Sequence, residues 1–162
     1  MKFLKMQNDP NLLFRPVNRI TAAMVRAETA QILFQKKRYS AAIYLAGVAV
    51  ECVLRTFIEN DEKKFSDKHC MSSMIKKPAV GPLLNADEQM SNWLDAILNY
   101  WDNKYRYADD KKIMSFYYSA KLIKKASFKN PETLRPFAEE CCAAANGIAA
   151  VGFTLAKERK IV

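Results

Sequence analysis

The chain has 162 residues, half of them hydrophobic, with only four glycines and a formal net charge of +9. That length and apolar content support one buried core, and they exclude intrinsic disorder and a glycine-punctuated all-β architecture. Four cysteines without a C-x-x-C pair, no leader-like apolar run at the start, and a longest uncharged run (141–156) shorter than the roughly 20 residues of a bilayer span point to a soluble cytoplasmic protein with buried free thiols.

Residues 1–17 read as an N-terminal arm, because Pro10 and Pro16 prevent a continuous helix, and 18–162 as a single helical domain. A first helix is predicted over 19–37, with Ile20, Met24, Ala27 and Phe34 inward. Tyr39-Ser40 interrupts it, and Ser40 suits the N-cap of a second helix. In that helix Ile43, Gly47, Val50, Leu54 and Phe57 recur at the period of a buried helical face. Ala41, Ala42, Ala46, Gly47 and Ala49 are small enough for a neighbour to approach closely, so this is the expected central helix.

The polar, proline-bearing stretch 60–82 reads as a loop with a short helical turn at 71–75. Asn85-Ala-Asp-Glu88 is a capping-box pattern, opening a third helix that runs to about Tyr105. Its stripe is Met90, Trp93, Leu94, Ile97, Leu98 and Trp101. Asp109-Asp110 suits the start of a fourth helix, since carboxylates favour the positive end of the helix dipole. That helix is predicted to end before Asn130-Pro131, a cap followed by a first helical position. A last helix over 136–157 turns Phe137, Cys141, Ala144, Ile148, Val151 and Leu155 inward. The expected fold class is all-α, an antiparallel bundle of four to five helices.

The usual phosphate-loop, dinucleotide and zinc-protease motifs are absent, and the four glycines are too sparse for a phosphate cradle. The one histidine, His69, lies beside Asp67 and Cys70 without ligand spacing, so neither a metal site nor a Cys–His pair is expected, and no cofactor. Glu51 stands in an otherwise apolar helix with Arg55 four residues on. That is either a structural ion pair or part of a polar pocket between helices. Between residues 104 and 129 eight cations (Lys104, Arg106, Lys111, Lys112, Lys121, Lys124, Lys125, Lys129) meet only Asp109 and Asp110. Trp101-Asp-Asn-Lys104-Tyr105-Arg106-Tyr107 interleaves bases with aromatics, a combination able to hold a phosphate and stack a base. Trp101 and Tyr105 are equally suited to a core. Phe116-Tyr117-Tyr118 suits core, dimer interface or stacking platform.

Two clusters carry a family resemblance: Arg38-Tyr39, Ala42, Tyr44, Gly47, Glu51 and Leu54-Arg55, then Trp101 followed by Arg106-Tyr107. Together they resemble HEPN domains. The resemblance implies a small all-α bundle, often a homodimer, frequently encoded beside a minimal nucleotidyltransferase as a toxin–antitoxin or defence pair. Many members are metal-independent ribonucleases that use an arginine and a histidine with four to six residues between them. Here the positions after Arg106 where that histidine would stand are Lys111, Lys112 and Ile113. Strand cleavage needs a group that exchanges protons near neutrality, which imidazole does and lysine does poorly. The expectation is a non-catalytic bundle that dimerises and binds RNA, a nucleotide or a partner protein through Arg106, Lys111, Lys112, Lys104, Tyr105 and Glu51. The alternative is an endoribonuclease toxin with a degenerate site of Arg106, Tyr107, Asp109 and Lys111.

Overall fold

A computed structural model of the protein describes residues 15–62 and 70–162. The expected arm, apart from residues 15–17, and His69 lie outside these residues. The described elements are α1 (Pro16–Gln35), α2 (Tyr39–Glu62), α3 (Met71–Ile75), α4 (Gly81–Leu84), α5 (Met90–Tyr100), α6 (Asp110–Ser119) and α7 (Arg135–Glu158). Short 3₁₀ turns at Pro78–Val80, Asn103–Tyr107, Lys125–Lys129 and Pro131–Leu134 link them, and among the described residues there is no strand. The five longer helices form the expected antiparallel bundle. α2 packs along α1 and α7, and α7 also holds α1 and α5. The buried side chains form one cluster centred on Ile43, Val50, Leu54 and Phe57 of α2 and Cys141, Ala145 and Ile148 of α7.

Helix ends follow local chemistry. Pro16 opens α1, where its missing N–H has no intrahelical partner to lose. α2 begins at Tyr39, the Ala42 amide reaching Arg38 O at 2.9 Å, so Ser40 falls inside the first turn rather than capping it. Among the described residues three helices end on a left-handed residue, and each time it is a lysine: Lys37 (φ 57°), Lys121 (φ 61°) and Lys160 (φ 56°). In each the next amide donates to a carbonyl one helical turn and more behind it, as Leu122 N to Tyr117 O at 2.8 Å, which closes a Schellman motif. Lysine carries no sequence signal for this conformation. Helix α6 therefore stops at Ser119, well before the residue 130 boundary expected of it.

No glycine takes a positive φ. Three of the four are instead sites of close approach. A Cβ on Gly47 would overlap the Trp101 indole, one on Gly147 the Trp93 ring, and one on Gly152 the Val53 side chain.

The third-helix boundaries also shift. Asn85 caps the end of α4, and Asp87 Oδ1 takes the Gln89 amide at 2.7 Å in a local turn, so the capping box does not form. α5 then ends at Tyr100 and not Tyr105, because Trp101 leaves in an extended conformation. Met24 and Leu98, expected inside, are partly exposed. Cys70, expected buried, is exposed, whereas Cys141 and Cys142 are buried.

Gly47→Ala is expected to lower stability by about 2 kcal/mol, since the indole must move, and Lys160→Gly to raise it by about 0.5 kcal/mol by relieving left-handed strain. Urea denaturation of the two variants checks both signs, and an unchanged Gly47→Ala midpoint contradicts the close approach.

Candidate functional site around Arg106

The site begins at Trp101. Its Nε1–H donates to the α2 carbonyl of Tyr44 at 3.0 Å, and its ring lies across Gly47. The two sequence clusters therefore meet in space. From this anchor Asp102 turns the chain, its carboxylate taking the Lys104 amide at 2.8 Å to start the 3₁₀ turn Asn103–Tyr107. Ala108 is extended, and Asp109 caps α6 by accepting the Lys112 amide at 2.8 Å.

This path sorts the residues into two sets. Tyr105 points inward, its ring stacked on Phe116 (centroids 5.9 Å apart) and edge-on to Tyr117. Burial pushes its hydroxyl up to about 12. Tyr117 is fully enclosed, donates to Tyr100 O at 2.6 Å and meets Phe137 edge-on. Phe116 and Tyr118 remain partly exposed, so Phe116-Tyr117-Tyr118 divides between core and surface.

Lys104, Arg106, Tyr107, Lys111 and Lys112 face outward. The Arg106 guanidinium sits 4.6 Å over the Tyr107 ring, which is 80 % exposed, and Lys112 Nζ lies 5.7 Å from the Phe116 ring. Among the described residues the observed ion pairs engage none of these cations. Ile113, the last of the three positions at which the family's histidine would stand, is wholly buried. Beyond α6 lies a groove of about 600 Å³ lined by Tyr118, Ser119, Lys121, Ile123, Lys124 and Lys125.

Glu51 belongs to a different setting. It is 6 % exposed, and its Oε1 accepts from Arg55 Nε at 2.7 Å. Arg55 also approaches Glu59 at 3.7 Å, and Glu59 takes Arg19 Nε of α1 at 2.6 Å. Two acids and two bases thus neutralise one another inside the α1–α2 interface. Of the candidate binding residues, Arg106, Lys104, Lys111 and Lys112 are all exposed, Tyr105 is buried against Phe116 and Tyr117, and Glu51 sits apart in this quartet.

A feature that sequence reasoning missed adjoins Trp101. A cleft of about 290 Å³ is lined by Leu98, Trp101, Asp102, Asn103, Cys70, Met71 and Ser72. The Ser73 hydroxyl donates to the Cys70 sulfur at 3.1 Å and Ser72 Oγ lies 3.3 Å away. These hydroxyls bring the thiol down to about 7. The run Cys70-Met-Ser72-Ser73 was the available signal. Among the described residues no group of three or more potential ligands could hold a metal.

Because a depressed value puts more of the thiol in its reactive form at lower pH, alkylation of Cys70 in the folded protein should be half-maximal near pH 7. Ser72→Ala with Ser73→Ala should move that midpoint upward, and a wild-type midpoint at the ordinary thiol value of about 8.5 would contradict the geometry. Separately, Glu51→Ala should lower stability by about 3 kcal/mol in thermal or urea melts, by leaving buried positive charge undercompensated.

α2 is the one described helix long and apolar enough to cross a membrane, and 72 % of its most apolar window is buried inside the protein. In comparisons with known proteins, no curated protein and no solved structure matches the chain. A family-wide sequence model described as HEPN domain matches residues 18–150. That span holds both clusters, the glycine–indole contact that joins them and the outward Arg106-Tyr107 pair, and on it the chain belongs to the HEPN family.

Proposed function

We propose that this chain is a non-catalytic HEPN bundle, cytoplasmic and homodimeric, that binds RNA or a nucleotide through the basic–aromatic surface of residues 104–125. A companion nucleotidyltransferase is the protein partner this reading favours. The observation that carries the reading is the Arg106 guanidinium resting on an exposed Tyr107 ring, with Lys104, Lys111 and Lys112 also exposed and engaged by none of the ion pairs observed among the described residues. Phosphates approaching such a surface release counterions, and the open ring offers a face to an unpaired base. The groove with Tyr118, Lys121, Lys124 and Lys125 extends the same chemistry along a strand.

What surrounds Arg106 supports a purely binding role. Position 113 faces the core, positions 111 and 112 carry exposed lysines, and Asp109 is engaged as the cap of α6. These groups stabilise negative charge and offer no imidazole for proton exchange. The contact between Arg106 and Tyr107 favours one second reading, a degenerate endoribonuclease toxin in which Arg106, Tyr107, Asp109 and Lys111 act together.

Fluorescence anisotropy with a single-stranded RNA across a salt series separates the possibilities. Combining Arg106→Ala, Lys111→Ala and Lys112→Ala should weaken binding at least tenfold at low salt and reduce the salt slope by about 2, at roughly 0.7 for each phosphate no longer neutralised. An unchanged slope would remove the polyanion reading. Cleavage of the RNA by wild type, abolished by Arg106→Ala, would establish the enzyme instead.

A further inference from the structure

The groove beyond α6 shares the charge of the Arg106 turn but has a different apolar content. Its lining sets Tyr118 and Ile123 among Lys121, Lys124 and Lys125. Tyr118 is 44 % exposed, its ring edge-on to Phe128 with centroids 5.6 Å apart, and the neighbouring Leu122 is 39 % exposed. The backbone gives the groove its shape. Lys121 takes the left-handed conformation, Leu122 N donates to Tyr117 O at 2.8 Å, and Lys124 is extended before the 3₁₀ turn Lys125–Lys129. Residues 111–130 contain six lysines, no arginine and no carboxylate. None of the ion pairs observed among the described residues engages Lys121, Lys124 or Lys125.

Two properties of this groove select its occupant. The first is charge. Lysines around a concavity, with no acid in the segment that carries them, attract an anionic partner and repel a cationic one. The second is the apolar part. Nucleic acid is gripped best by arginine forks on phosphate and by bases laid on open rings. Arg106 and Tyr107 offer that pair. In the groove every cation is lysine, the Tyr118 ring already meets Phe128, and Ile123 with Leu122 adds branched aliphatic surface. A concavity of about 600 Å³ with such a floor is matched by a large apolar side chain, not by a phosphate.

We infer that the groove receives an acidic segment of a partner protein. One large apolar side chain of that segment sits between Tyr118 and Ile123, and carboxylates on either side of it meet Lys121, Lys124 and Lys125. The inference deepens the reading of residues 104–125 given above and rests on it in one respect. The same lysines belong to the surface assigned to RNA, so the seated segment and a bound strand exclude one another.

A host–guest peptide series with the full chain tests this. The probes are short fluorescein-labelled peptides of aspartate and glutamate with one central guest residue: Leu, Phe, Ser or Gly. Fluorescence anisotropy should give dissociation constants about tenfold lower for Leu and Phe than for Ser and Gly, the effect of burying one such side chain. Tyr118→Ser with Ile123→Ser should erase that preference and leave the Ser-guest peptide unaffected. Lys121→Ala, Lys124→Ala and Lys125→Ala together should weaken every peptide, and unlabelled Leu-guest peptide should displace single-stranded RNA from wild type. The guest preference is read on wild type, so it serves even if a variant fails to fold. Equal affinity for all guests, or a preference that survives Tyr118→Ser with Ile123→Ser, overturns the inference. If the three lysine substitutions then still weaken RNA binding, the groove belongs to the strand alone and the reading above stands. A guest preference without displacement of RNA overturns the mutual exclusion. Wild type that binds no RNA overturns the reading above, and the guest preference alone then decides the occupant of the groove.

Discussion

The contact on which the rest of this structure depends is that of the Trp101 indole with α2 at Gly47. Two conditions make it possible: the missing side chain at Gly47, and the Tyr44 carbonyl with capacity to accept an indole N–H. Burying an aromatic ring of this size contributes on the order of 3–5 kcal/mol relative to alanine, so the anchor is strong compared with the 3₁₀ turn that follows it. The turn alone has few hydrogen bonds and no long-range register. Fixed at Trp101 behind and by the Asp109 cap ahead, it presents Lys104, Arg106 and Tyr107 outward and Tyr105 inward. The orientation of the basic surface is thus set from within the bundle.

The quartet of Arg19, Glu59, Arg55 and Glu51 does different work. The facing surfaces of α1 and α2 are rich in alanine, and small residues alone define axial position weakly, since one alanine resembles the next. A 2.6 Å bond from Arg19 to Glu59 ties a single position of α1 to a single position of α2. Its net contribution to stability is small once desolvation is counted, but any slipped alignment would leave a buried charge uncompensated. Specificity of alignment is what such a group supplies here.

Much of the fold was legible in the sequence because periodic burial, proline and acidic caps speak locally. The α2 face at Ile43, Gly47, Val50, Leu54 and Phe57, the turn at Met71–Ile75, the Asp109 start of α6 and the Asn130 cap all follow from such signals. The departures have physical causes that sit outside a local window. Trp101 leaves α5 because its ring finds a better place on α2 than on its own helix. α6 ends at a lysine in a conformation that lysine does not advertise. Asp87 satisfies the Gln89 amide and so pre-empts the box that Asn85 and Glu88 would have made. For the site, both clusters and their cations could be read directly. The sequence left Tyr105 equally suited to core and surface, and the choice is made by a 3₁₀ turn whose phase differs from that of the expected helix. The Cys70 cleft needed two segments distant in sequence to be brought together.

The chain's two tryptophans both lie over glycines, Trp93 on α7 and Trp101 on α2. Their intrinsic emission therefore originates at two separate helix seams, one of them continuous with the turn that displays Arg106. A phenylalanine in place of Trp93 would leave a protein whose ultraviolet fluorescence monitors that turn alone, an optical gauge of events at the basic surface that requires no attached dye.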